Sequence, residues 1–240
     1  MTNIETNPGC SLQIKFIYPV NFANRDVLNL LQQQFITGFF GEDYANQSPV
    51  NATNIYLEKY INNFKLQEKN FLIDQQNHQQ NPNEYFNYEV LNNKIIYNKN
   101  NLISFTVNRI YYKGGVHDAH KYMNYVIDLR TGKRITEKDI FIDDYKEELA
   151  SIIVHEIALQ NNAGRIEDLE NMGFFNIAEI SPNKNFYIND DGINYTFNEF
   201  DIAAYIIGPI DVYIPYEKIQ HILRKESPVS NIALKNGHNT

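Results

Sequence analysis

Tryptophan is absent from this chain, and cysteine occurs once, at Cys10. A single thiol excludes an intramolecular disulfide framework and says little about compartment. No run approaches the roughly twenty apolar residues a membrane-crossing helix needs. Lys and Arg number 21 against 29 Asp and Glu, giving a net charge of −8, and the basic residues do not cluster. That balance opposes a polyphosphate backbone and excludes nucleic acid as a partner. Signature loops are missing too: there is no Gly-x-Ser-x-Gly nucleophile elbow, no glycine-rich phosphate cradle and no internal repeat.

The 240 residues, 43% hydrophobic and 21% charged, can bury a sizeable core in one or two domains. Asn, Ile, Tyr and Lys are abundant, which reads as AT-rich coding. The runs Gln75-Gln76-Asn77 and Gln79-Gln80-Asn81 keep a prion-like tract open as the alternative. Seventeen Tyr and fifteen Phe divide between core filling and an exposed aromatic surface suited to a protein or glycan.

Taken in order, Ser11–Tyr18 alternates as a strand with Leu12, Ile14, Phe16 and Tyr18 inward, stopped by Pro19. Asn24 is an N-cap for a helix carrying Val27, Leu28, Leu31, Phe35 and Phe39, with Gly41 at its end. Ser48-Pro49 starts a second helix, with Ile55, Tyr56, Tyr60, Ile61 and Phe64 on its stripe, fading past Lys65. The polar segment 75–87 is a loop between lobes. Tyr88–Tyr97 and Leu102–Tyr112 are antiparallel strands around an Asn-rich turn at 98–101. Tyr145–Asn161 is a third helix with Glu156 bordering its buried stripe. Short strands at 186–188, 193–195 and 212–214 and a helix at 215–223 complete the core, and the chain beyond Arg224 reads as a polar tail. Met1–Gly9 is polar and is not a signal peptide. Pro8-Gly9-Cys10 has the outline of a lipoprotein cleavage site, but Asn7 stands where an apolar residue belongs. Cys10 therefore reads as a strand-entry cysteine.

The stretch 108–141 is the centre of the chain. One aromatic strand enters, Gly114-Gly115 permits reversal, and the loop KGGVHDAH projects before a second aromatic strand, 122–129, and a turn at Thr131-Gly132. On that second strand Met123, Tyr125, Ile127 and Leu129 form the face expected to be buried; Tyr122, Asn124, Val126 and Asp128 form the half-polar one. His117, Asp118 and His120 are three mixed potential metal ligands, yet no spacing nominates a further partner. The loop reads instead as a reversal held by His117. His155-Glu156 begins a zinc-protease signature, but Leu159 stands where the second His belongs. Asn189-Asp190-Asp191-Gly192 resembles part of a calcium loop and lacks its downstream ligands, so turn chemistry explains it. No cofactor or metal is nominated.

Three motifs carry a family resemblance: Tyr-x-x-Gly-Gly-Val-His at 111–117, Ile-Asp-Leu-x-Thr-Gly at 127–132, and Ile-Thr-x-x-Asp-Ile-Phe at 135–141. With Asn185–Ile188, Gly192-Ile193, Phe200, Ala203–Tyr205, Gly208-Pro209 and Ile214–Tyr216 they resemble an exported domain of unknown function. That domain forms the extracytoplasmic, lysozyme-binding part of the anti-sigma factor RsiV and accompanies peptidoglycan deacetylase C. Ile17-Tyr18-Pro19 and the following helix resemble the smaller domain preceding it, so the resemblance spans about 10–224.

It implies an exported protein of the periplasm or cell surface, with any membrane anchoring carried by segments outside these residues. The expected fold is α+β: an N-terminal strand-helix-helix lobe (1–80), a larger antiparallel sheet packed against helices (81–224), and the tail (225–240). The expected function is a non-catalytic binding module for a protein such as lysozyme or for cell-wall glycan. Its face would comprise Tyr111, Tyr112, Gly114, Gly115, His117, Asp118, His120 and Tyr122. The alternative is a hydrolase or deacetylase-associated enzyme on peptidoglycan or glycan.

Overall fold

The computed structural model describes residues 2–5, 9–75, 86–114 and 116–236. The protein is α+β, as the patterning predicts. It divides into two compact units, Met1–Asn93 with Val107–Lys121, and Lys94–Thr106 with Tyr122–Thr240. These differ from the lobes expected at 1–80 and 81–224, because three strands each contribute residues to both units. The loop expected at 75–87 falls mostly outside the described residues.

In the first unit, β1 (Thr2–Glu5) runs antiparallel to β2 (Cys10–Lys15). β2 runs parallel to the start of β3 (Asn87–Lys99), with Cys10 opposite Asn87. β4 (Leu102–Lys113) and β5 (Ala119–Asp128) follow in that order. Leu12 and Ile14 are buried as the alternation requires, and Cys10 is buried at the strand entry. The strand ends at Lys15, before Pro19, and the Asn93 amide then takes over as partner. It accepts from Ile17 N and donates to Ile17 O, both at 2.7 Å.

Helix α1 (Arg25–Phe40) starts where Asn24 Oδ1 accepts from Asp26 N and Val27 N, and ends at Gly41 with φ 105°. Leu31, Phe35 and Phe39 are buried, each contributing roughly 1.5–3 kcal/mol. Helix α2 (Pro49–Gln75) begins at Ser48, whose Oγ accepts from Asn51 N. It continues past Lys65, where its stripe was expected to fade. Rings from both helices interlock: Phe16, Phe39, Phe40, Tyr44 and Tyr56 lie 4.5–5.7 Å apart in successive pairs. Much of the aromatic surplus is therefore core.

In the second unit, Asn100 and Asn101 alone join β3 to β4, with φ 54° and 59°. Two central residues at positive φ make the primed turn that matches strand twist. β6 (Lys133–Arg134) pairs with the end of β5, after a turn in which Gly132 takes φ 70°. Next comes α3 (Glu137–Ile140), a short helix not anticipated in the sequence, opened by a Thr136/Asp139 capping box. Helix α4 (Tyr145–Gln160) buries Leu149, Ile153 and Ile157 at successive turns. α5 (Asp168–Asn171) follows.

A separate antiparallel sheet has the order β7 (Phe186–Ile188), β8 (Gly192–Phe197) and β9 (Ile210–Pro215). At Gly192 a Cβ would lie 2.2 Å from Ile214 O, so only hydrogen fits there. α6 (Tyr216–Ile219) and α7 (Ser230–Asn236) close the unit. The segment expected as a polar tail thus carries Val229, Ile232 and Ala233 into the core. Three small apolar side chains spaced among polar ones gave too short a pattern to read.

Candidate functional site

Alternation along β4 divides the predicted face. Arg109, Tyr111 and Lys113 share one side: both cations lie over the Tyr111 ring, at 5.3 and 5.7 Å. Tyr112 must then point the other way. There it stacks on Tyr88 at 5.9 Å with planes 16° apart, and Phe86 joins at 6.0 Å from Tyr88 and 6.4 Å from Tyr112. Tyr111 and Tyr112, adjacent in sequence, belong to different surfaces.

The Tyr112 side carries the polar loop residues. Tyr88 donates its hydroxyl to Asp118 Oδ2 at 2.7 Å, and His120 Nε2 lies 3.2 Å from the same oxygen. The Tyr88 hydrogen bond, with a smaller contribution from His120, holds the Asp118 carboxyl below its ordinary range. Asp118 and His120 are each about one-third exposed. Val116 and His117 stand exposed at the tip. Gly114 adopts φ 82°, the reversal expected of it; Gly115 lies outside the described residues. Among the described residues no three His, Cys, Asp or Glu side chains converge as a metal site.

The Tyr111 side is a buried charge network against α2. Glu89 is 2% exposed, with Oε1 2.8 Å from Arg109 Nε and 2.5 Å from the Tyr56 hydroxyl. Arg109 also donates to that hydroxyl at 3.3 Å. Burial, reinforced by the Glu89 charge, pushes the Tyr56 hydroxyl far up. A cleft of about 180 Å³ lies here, lined by Tyr60, Phe64, Leu66, Gln67, Asn87 and Lys113.

Tyr122, the last predicted residue, belongs to the second unit, and its backbone does the work. Its N–H donates to Asn198 Oδ1 at 2.6 Å, and its carbonyl accepts from Asn185 Nδ2 and Asn198 Nδ2. Asn124 next to it is buried between Thr106 and Thr196, at 2.6 and 2.7 Å, and takes Asn185 Oδ1 on its own N–H. Asn124, Val126 and Asp128 are therefore buried; on the face expected to be buried Ile127 is, whereas Met123, Tyr125 and Leu129 are only half-buried. The half-polar face is thus as much core as the apolar one, because buried amides count as core once they are hydrogen-bonded. Nothing in the spacing of Asn124, Asn185 and Asn198 marked them.

The other sequence constellations resolve as structure. His155 is exposed. Asn189 Oδ1 accepts from Asp191 N and Gly192 N, a local turn. Glu156 is buried rather than bordering the stripe, and pairs with Lys218 at 2.5 Å.

Comparison with known proteins adds a likeness to one family. No curated protein sequence matches this chain significantly. A crystal structure of a DUF3298-family member from Bacteroides fragilis is similar with a TM-score of 0.87 and 29% identity, over 94% of this chain and 89% of that one. A DUF3298-family protein from Pseudomonas aeruginosa PAO1 shares the fold alone, with TM-score 0.50 and 15% identity over 58% and 63% of the two chains. Residues 138–217, all in the second unit, match the model of DUF3298, described as a protein of unknown function.

Proposed function

We propose that the protein is a non-catalytic recognition module of the bacterial cell envelope, exported to the periplasm or cell surface. Its binding face is Phe86, Tyr88 and Tyr112 with Asp118 and His120. The observation that carries this is the stacked Tyr88–Tyr112 pair with a carboxylate fixed at its edge. Flat rings offer apolar contact to the C–H face of a sugar, and an ionised carboxylate accepts from sugar hydroxyls. Cell-wall glycan is the ligand this combination favours. The depressed Asp118 carboxyl stays ionised at neutral pH, which suits an acceptor of sugar hydroxyls.

A second reading, a lysozyme-like protein, rests on the Tyr-x-x-Gly-Gly-Val-His motif at 111–117 and its resemblance to the lysozyme-binding domain of RsiV. Calorimetric titration with soluble peptidoglycan fragments and, separately, animal-type lysozyme tests both. Glycan binding weakened at least tenfold, about 1.4 kcal/mol, by Tyr112→Ala and by Asp118→Asn supports the first reading. Lysozyme binding with the same sensitivity replaces it by the second. Clearing of cell-wall substrate in a zymogram, lost in Asp118→Asn, overturns recognition in favour of hydrolysis.

A further inference from the structure

The second unit carries an exposed apolar surface that the recognition face does not use. Asp201 N donates to Asn198 O across a tight turn, and Phe200, its third residue, sits at φ 66°. Glycine or asparagine normally fills that position; a bulky aromatic there is a backbone outlier. The strained residue is not packed away. Phe200 is 65% exposed and stacks on Tyr205 at 5.6 Å, and Ile206 beside it is 93% exposed.

The neighbouring loop is laced to this one. Phe175 N donates to Ile202 O, Ala204 N donates to Gly173 O, and Phe174 bridges Ala203. Met172, 44% exposed, precedes Gly173 on that loop. Gly173 permits the close approach of the two loops: a Cβ there would meet Ile207 Cδ1 at 3.0 Å. Contiguous exposed apolar side chains, unlike scattered ones, mark interaction sites. Strain held at an exposed position points the same way.

The charge around this surface selects the partner. Two acids, Glu179 and Asp201 next to Phe200, line a cleft of about 330 Å³ with Asn176, Ser181, Asn183 and Ile202, and no Lys or Arg lines it. Opposite charge beside an apolar contact gives both steering and specificity.

We propose that Phe200, Tyr205, Ile206 and Met172, with Glu179 and Asp201 at their edge, form a docking surface for a protein segment presenting Lys or Arg beside apolar side chains. This surface shares no residue with the Tyr88–Tyr112 face and stands or falls independently of it.

Fluorescence anisotropy with three labelled decapeptides tests the proposal: alternating Arg and Leu, alternating Arg and Ser, and alternating Glu and Leu. The Arg-Leu peptide binds the full chain, and Phe200→Gly weakens it at least tenfold. Glycine suits the backbone at position 200, so this variant keeps or raises the melting temperature, which separates lost contact from lost fold. Glu179→Gln, at an exposed position, weakens binding less and flattens its salt dependence. Equal affinity for the Arg-Ser peptide, preference for the Glu-Leu peptide, or no change in Phe200→Gly overturns the proposal. Self-association in sedimentation that Phe200→Gly abolishes also overturns it, since the occupant is then a second copy.

Discussion

Glu89 in the first unit and Glu137 in the second are both buried beside tyrosine, and the two are satisfied differently. In the first unit Glu89 has a cation, Arg109, as well as the Tyr56 hydroxyl. In the second, Glu137 is 3% exposed and, among the described residues, accepts from neutral donors, the Tyr145 hydroxyl at 2.7 Å and Lys184 N–H at 2.9 Å. Lys184 takes φ 64° in that bond. Tyr195, whose hydroxyl is buried without a hydrogen-bond partner among the described residues, is pushed far up by burial first and Glu137 second. A carboxylate held by an ion pair is robust to losing a dipole but not its cation. One held by dipoles alone depends on each of them.

The largest expected effect follows from removing the cation. Arg109→Met leaves Glu89 buried without a counter-charge, at a cost of about 3 kcal/mol in urea unfolding. The partial exposure of Arg109, 35%, keeps the loss at the lower end of what buried pairs show. A loss under 1 kcal/mol would mean that Glu89 is held by Tyr56 and solvent instead.

Next comes the direct comparison of the tyrosines. Tyr145→Phe removes a donor from Glu137 and is expected to cost about 2 kcal/mol; Tyr56→Phe leaves Glu89 its arginine and costs about 1 kcal/mol. Equal losses in paired chemical denaturation curves would erase the distinction between the two sites.

The smallest effect is a pH dependence. Tyr187 is pushed up to about 12 by burial, with the Asp211 charge adding; Tyr56, Tyr145, Tyr195 and Tyr216 are raised further, each chiefly by burial. Unfolded tyrosine ionises near 10. Above that pH the unfolded chain holds fewer protons than the folded one, so stability is full below pH 10 and falls as pH rises through 12. Melting temperatures measured from pH 8 to 11.5 should bend downward beyond pH 10, and Tyr187→Phe should make that bend shallower. An unchanged bend would place the effect in the more deeply buried tyrosines of the two carboxylate sites.

Local signals were legible in the sequence where one residue suffices for one structural event. Asn24, Gly41, Ser48 and Gly132 acted as read, and α4 spans almost the residues its periodicity marked. What misled was the assumption that a polar residue faces water. Asn124 is core, and Asn93, Asn185 and Asn198 substitute side-chain amides for strand partners. Of the predicted face, Tyr112, Asp118 and His120 come together with Phe86 and Tyr88. Tyr111 lies on the far side of β4, a division that period-two alternation already implied.

The sequence by itself determined the fold class, the caps, the turns and the amphipathic stripes, because these rest on interactions within a few residues. Tertiary structure alone decided which tyrosines stack, which carboxylates find a cation, and that a loop at 198–208 presents strained Phe200 to solvent. Those outcomes depend on groups from separate elements, such as Tyr88 with Tyr112 and Glu89 with Arg109, whose approach no local pattern encodes.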